Sequence, residues 1–544
     1  MALLLDVFGF LSVLLRCLAL TGAALVVGGV LFRHVIVLPV IDSATGPARD
    51  VLARLARVLR RSALLLAVTA LAVLTLDSMV MMGSVQMSAA IALSAPSNIA
   101  ALAVLLGALS IVFDSGERAW RAPCAALVIL TGMVCTTHAV SRLEHTALLV
   151  GASALHQIGA YAWLGGLPGF LVVLNRAAAR DRARIALRYS HLCVAGVSLI
   201  VVSAALKAWA YIGSFAAVYG SQYGAMSATK GVMLLILLSF GAGNFFAARR
   251  LADAPALLAR VKRFVEVEMM IGASVMFVAG ALTSLPPAVD LGADLAPWST
   301  VKERVFTLRA PRLVSPDARE LAIPQAQARL DALAASQHQR ALPVYVPGAG
   351  LSPPVEAADV LWSEYNHNWS GVFMLTIGLC ALLAQAGWRA ARHWPLLFLV
   401  LGMFVLLRSD PESWPIGDIN FFAAMRAPEV LQHRLAVLVV FVFAFFEWRV
   451  RTGALAGTRY EYVFPFSNVL GAVLLLSHSH DLNNQREALL MELSHLGIGL
   501  FALAAGCARW LEIRADGALA RVAAWLWPVS FIGLGLVLLF YRES

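Results

Sequence analysis

Apolar runs of roughly 18 to 23 residues recur along the whole chain, separated by short polar stretches. A run of that length crosses about 30 Å of hydrocarbon as a helix, whereas a membrane barrel would show shorter, alternating segments. The pattern therefore predicts an all-α fold, a polytopic transmembrane helical bundle of about fourteen helices. The spans fall near 9–31, 62–83, 97–113, 122–141, 147–174, 189–212, 228–247, 264–284, 370–387, 394–407, 432–448, 463–478, 493–508 and 521–540. The first run has neither a basic flank nor a small-residue cleavage site, so it reads as a retained helix with the mature chain starting near Met1.

Composition agrees with that reading. Of 544 residues, 60% are hydrophobic and 14% charged, and the mean hydropathy of +0.78 lies outside the range of soluble domains. The net charge of +10 does not point to nucleic acid, because Lys and Arg fall in short clusters between the apolar runs. Arg49, Arg54, Arg57, Arg60 and Arg61, then Arg176, Arg180, Arg182, Arg184 and Arg188, then Arg249, Arg250, Lys262 and Arg263, and finally Arg449, Arg451 and Arg459 mark alternate connections. By the positive-inside rule these connections are cytoplasmic and both termini lie outside, which in a bacterial inner membrane is the periplasm.

One long polar segment interrupts the pattern. Residues 285–369 are proline-rich, with an amphipathic helix expected from Pro324 to about Gln339, and divide the chain into 1–284 with eight helices and 370–544 with six. The segment is expected on the periplasmic side. Six cysteines (Cys17, Cys124, Cys135, Cys193, Cys380 and Cys507) sit in the predicted helices without CxxC spacing, which argues against a disulfide framework.

Polar groups within the apolar runs are the candidates for chemistry, since ionisable residues in a membrane mark a site or a buried pair. Arg16 and Asp77 lie about two turns from the outer surface and could neutralise each other; Lys207 and Lys230 lie near the outer helix ends, where snorkelling accounts for them. Met79 and Met82 share a helix face, with Met87 just beyond. Thioethers are soft, neutral ligands for Cu(I), although methionine also fills cores. Cys135 and His138 are three apart, a thiol with an imidazole near the outer surface. In "HQIGAYAWLGGL", His156 stands about three turns below that surface and shares a face with Trp163, two turns on.

The last six helices carry a denser set: His367, His433, His478, His480 and His495 all map to the outer side, whereas His34, His191 and His393 map to the inner one. One-sided His and Met with few carboxylates beside them (Glu364, Asp481, Glu492) favours copper over magnesium, calcium or manganese. No Walker A, GxSxG, HExxH or CPC motif is present, so neither an ATP-driven pump nor a common hydrolase is indicated.

The "THA" at 137–139, "LHxxxxxxWLGGL" at 155–167, "RYSHLCVAGVSLIVVSAALKAW" from 188, "YGxxxxxKGVMLLILLSFGAGN" from 223 and Glu268 resemble the CopD family of bacterial inner-membrane copper proteins. "LPPAVDL", "WSEYNHNWSG" and "HSHDLNNQREALLMELSH" resemble longer members with a second helical block. The resemblance implies copper resistance, or copper moved from periplasm to cytoplasm, as a transporter rather than an enzyme, beside a separate periplasmic CopC-type partner. A more distant resemblance to two-haem membrane cytochromes implies haem b on His138 and His156 instead. A third reading is a copper-binding scaffold that delivers the metal to a partner.

Overall fold

The computed structural model describes residues 2–41, 46–84, 86–114, 118–316, 357–411, 413–417, 419–425, 428–476 and 485–543. Among them there is no strand, and the elements are α1 (Ala2–Leu31), α2 (Gly46–Ser84), α3 (Pro96–Val112), α4 (Arg121–Cys135), α5 (Thr146–Ala160), α6 (Leu167–Arg176), α7 (Ala179–Tyr211), α8 (Gln222–Arg250), α9 (Leu257–Leu282), α10 (Ala357–Gln385), α11 (Leu397–Arg408), α12 (Pro428–Arg451), α13 (Val463–Leu476), α14 (Gln485–Arg514) and α15 (Gly517–Leu539), with shorter turns between. A π-helical turn, Tyr161–Gly165, joins α5 to α6 as one span, Thr146–Arg176. Among the described residues every predicted apolar run is helical, and eleven helices are long and apolar enough to cross a membrane. The chain is a polytopic helical membrane protein.

The helices outrun the apolar windows where arginines precede them. α2 has 39 residues and α7 has 33, because Arg, Ala and Leu are all strong helix formers and carry the helix past its apolar stretch. Arg54 pairs with Asp50 one turn back at 2.9 Å. Many arginines assigned to loops are thus on helical overhangs. The helix expected over Pro324–Gln339 lies outside the described residues.

Two compact units are present. One comprises Ser12–Val218 with Met226–Gly292. Its core joins Ala23, Val27, Leu66, Val104 and Ile129 from the first four helices with Tyr161 from the π turn, and a second cluster joins Phe32, Leu55, Phe170, Tyr189 and Val261. Backbones meet where side chains are absent: a Cβ at Gly165 would lie 1.8 Å from the Ala24 carbonyl oxygen, and one at Gly28 would lie 2.0 Å from the Tyr161 oxygen. Small residues at a membrane helix contact permit such packing.

The other unit comprises Met1–Leu11, Tyr219–Ala225 and Ala293–Ser544. Its centre is aromatic: Trp394 and Trp527 have ring centroids 5.4 Å apart, and Phe464 stacks on Phe531 at 5.6 Å. α10 and α15 approach through Gly371, Gly378 and Gly535.

Candidate functional site

In the second unit, His367, His433 and His495 fall in the N-terminal halves of α10, α12 and α14. His367 Nδ1 donates to the Ser363 carbonyl oxygen one turn back at 2.9 Å, which fixes the tautomer whose Nε2 carries the lone pair. Tyr541, just past α15, stacks on the His367 ring at 3.9 Å, and the His495 ring stands 6.2 Å from that of His367. His433 lies within electrostatic reach of His367. Its Nδ1 donates to Asp410 Oδ1 at 2.9 Å, and Ser409 Oγ donates to Asp410 Oδ2 at 2.8 Å.

These histidines are candidates for metal contact. Imidazoles that bind metal commonly anchor the second nitrogen on a carboxylate or a backbone carbonyl, and His433 and His367 do one each. Two imidazoles sharing an ion through metal–nitrogen bonds of about 2.0–2.1 Å hold their ring centroids roughly 6 Å apart, the spacing of His367 and His495. Among the described residues no group of three or more His, Cys, Asp or Glu could hold a metal ion, so His367 and His495 stand as a candidate pair only, with His433 within electrostatic reach of His367. His478 and His480 lie outside the described residues.

The first unit holds a different centre. Glu268 on α9 is 2% exposed; its Oε2 accepts from Trp163 Nε1 at 3.1 Å, and its Oε1 accepts from Asn244 Nδ2 on α8 at 2.5 Å. Trp163 belongs to the π-helical turn, a geometry common at functional positions, and its carbonyl oxygen accepts from the Tyr189 hydroxyl. His156 does not join this group, although seven-residue spacing puts it on one face with Trp163. Its Nδ1 lies 3.0 Å from Ser203 Oγ on α7, and Ser203 donates in turn to the Leu199 carbonyl oxygen at 2.6 Å. The His156 ring engages α7, whereas the Trp163 indole engages α9.

Lys207 and Lys230 lie within electrostatic reach of His156. The fit of haem at His156 is poor. Gly159 on α5 packs so closely on α7 that an added Cβ would lie 2.5 Å from the Gly196 carbonyl oxygen, which brings the two helix backbones together one turn from His156, and the His156 Nδ1 is already engaged by the Ser203 hydroxyl.

The remaining candidates are dispersed. Met79, Met82 and Met87 are 46, 37 and 38% exposed, on the C-terminal part of α2 and the turn after it. Cys135 is exposed at the end of α4. His138 is half-buried with its ring 6.4 Å from that of Tyr211. Arg16 donates to Ser284 Oγ at 3.4 Å; Asp77 is within its electrostatic reach, but the two form no ion pair among the described residues.

Two groups escaped the reading of the sequence. Asn244 is a single amide in an apolar run, and Asp410 follows an arginine-ended helix; each is an isolated polar residue whose partner lies on another helix. The second group is a buried network at the far ends of α12 and α14, in which Glu447 accepts from Arg451 at 2.6 Å while Arg509 contacts Glu447 at 3.8 Å and Glu512 at 2.7 Å. The charges in "FFEWRVR" and "ARWLEIR" were its signal.

An all-helical, multi-pass bundle with buried polar centres is the frame of a membrane transporter or membrane cytochrome. Residues 183–282, from α7 to α9, match the family model described as CopD, copper resistance protein D. Tyr189, Asn244 and Glu268 lie inside the match; the histidines of α10, α12 and α14 lie beyond it. No curated protein and no solved structure matches the chain.

Proposed function

We propose that this chain moves copper ions across a bacterial inner membrane, from periplasm to cytoplasm, with both termini on the periplasmic side. The observation that carries the reading is the approach of His495 to the anchored His367, with the anchored His433 within electrostatic reach, in a chain whose residues 183–282 match the CopD family model. Copper is captured at these imidazoles and passes through the first eight helices by way of His156, whose Nδ1 is held by Ser203 so that Nε2 presents the lone pair. The exposed Met79, Met82 and Met87 supply soft contacts at the outer rim, with Cys135 and His138 nearby in sequence. A separate CopC-type protein delivering copper outside the membrane suits such a capture site.

The test is copper accumulation by cells expressing the intact chain, its His367→Ala/His433→Ala variant and its His156→Ala variant. The capture variant is expected to lose accumulation at limiting copper and regain part of it at excess. His156→Ala is expected to bind copper and not move it. Accumulation equal to that of the intact chain in both variants would exclude the route.

A further inference from the structure

The Glu268 carboxylate is buried among neutral partners. Its two hydrogen-bond donors, the Trp163 indole and the Asn244 amide, carry no charge. The titratable groups facing it are Tyr189 and Cys193 on α7, neither of which is a cation at neutral pH; the π turn contributes Trp163 and α8 contributes Asn244. On α9 itself, Arg263 is paired with Glu266 at 2.6 Å. An acid kept in the membrane interior with no cation beside it is an ionisable site in its own right.

A second observation shows what the site takes. Asn244 is 9% exposed, and its Oδ1 is buried with no hydrogen-bond partner, while Nδ2 of the same amide donates to Glu268. A buried acceptor left unmade is unfavourable and calls for a reason. A half-turn of the amide supplies one: it brings Oδ1 to the carboxyl, where it accepts an O–H from the protonated acid. The amide therefore serves both forms, donating N–H to the carboxylate and accepting from the acid, while the Trp163 N–H stays fixed. Calcium requires about six or more oxygen ligands and magnesium a full octahedron, and the polar groups gathered here offer far fewer.

We propose that Glu268, Asn244 and Trp163 form a proton-binding site inside the membrane, with the Asn244 amide turning over as the proton arrives and leaves. Asn244 and Glu268 lie within the residues that match the CopD family model, and Trp163, which precedes them, is on the same span as His156. Its coupling to transport, with a proton entering Glu268 as copper passes His156, rests on the copper-moving reading above; the proton site itself does not.

Infrared difference spectra of the full chain in liposomes, titrated with acid, test the site. A protonated-carboxyl band is expected in the intact chain, absent from Glu268→Gln, kept but displaced in Glu268→Asp, and persisting to higher pH in Asn244→Leu, where the carboxylate has lost a donor. A Glu268→Gln spectrum identical to that of the intact chain overturns the proposal. Copper flux in the same liposomes tests the coupling: dependence on a pH gradient is expected in the intact chain and its loss in Glu268→Gln, and flux that remains gradient-dependent in that variant overturns the coupling. An intact chain that moves no copper while its Glu268 band still titrates upholds the proton site and refutes transport.

Discussion

Asp410 and His433 are joined by one hydrogen bond of 2.9 Å, from the imidazole Nδ1 to a carboxylate that is almost wholly buried. The bond aims the ring and makes its other nitrogen more basic, as partners of this kind do at metal sites. Asp410→Asn keeps the shape but removes the charge. Copper affinity of the purified chain, measured by competition with a chelator, is expected to fall by about 10–100-fold. An unchanged affinity would remove His433 from the site.

The same pair sets a pH dependence of stability. Burial by itself pushes the Asp410 carboxyl up, but the hydrogen bond and charge of His433, the Ser409 hydroxyl and the charge of Arg434 outweigh it and hold the group below the usual carboxylate range. A carboxyl lowered on folding stabilises the fold above its unfolded value, about pH 3.9 for Asp, and that contribution is lost as pH falls through the folded value. Thermal unfolding in detergent is expected to show the intact chain ahead of Asp410→Asn by about 1 kcal/mol at neutral pH. The gap is expected to close below about pH 4, so a gap that widens on acidification would contradict this account.

How far the sequence could be read follows from what each signal encodes. Apolar runs report burial in lipid one helix at a time, so every span was legible, while the arginine-bearing ends of α2 and α7 were not, because hydropathy is blind to helix that continues in water. His367 and His495 were legible as members of one side, since distance from a helix end translates into depth. Which helices touch is not a local property. Trp163, Asn244 and Glu268 are 81 and 24 residues apart along the chain, and no spacing rule joins them. The π turn at Tyr161–Gly165 also escapes a count of 3.6 residues per turn.

Gly165 tests the seam that holds the π turn against α1. Its absent side chain admits the Ala24 carbonyl, and no flexible neighbour could yield to a methyl group there. Gly165→Ala is expected to destabilise the chain by about 3 kcal/mol or more, at the upper end of overpacking costs, and to displace Trp163 from Glu268. Gly151, with nothing within 4 Å of an added Cβ, is the control, and Gly151→Ala is expected to be neutral. Comparable melting of the two variants would show that the seam yields.

The buried network of α12 and α14 gives the largest expected effect on stability. Glu447 is fully buried between Arg451 and Arg509, and Arg451 also covers the Trp527 ring at 4.9 Å. Removing one member of a buried ionic group leaves the others charged, desolvated and without their counter-charge, which costs about 3–5 kcal/mol and exceeds what the pair contributed when intact. Glu447→Ala is therefore expected to lower stability by that amount, with Arg451 losing its 2.6 Å partner while Arg509 retains Glu512 at 2.7 Å. Replacing Arg451 by Met together with Glu447→Leu is expected to recover much of the loss, because a packed apolar pair carries no desolvation penalty. Thermal unfolding of the single and double variants decides the matter: a double variant no more stable than Glu447→Ala would show that the network acts by shape and not by charge.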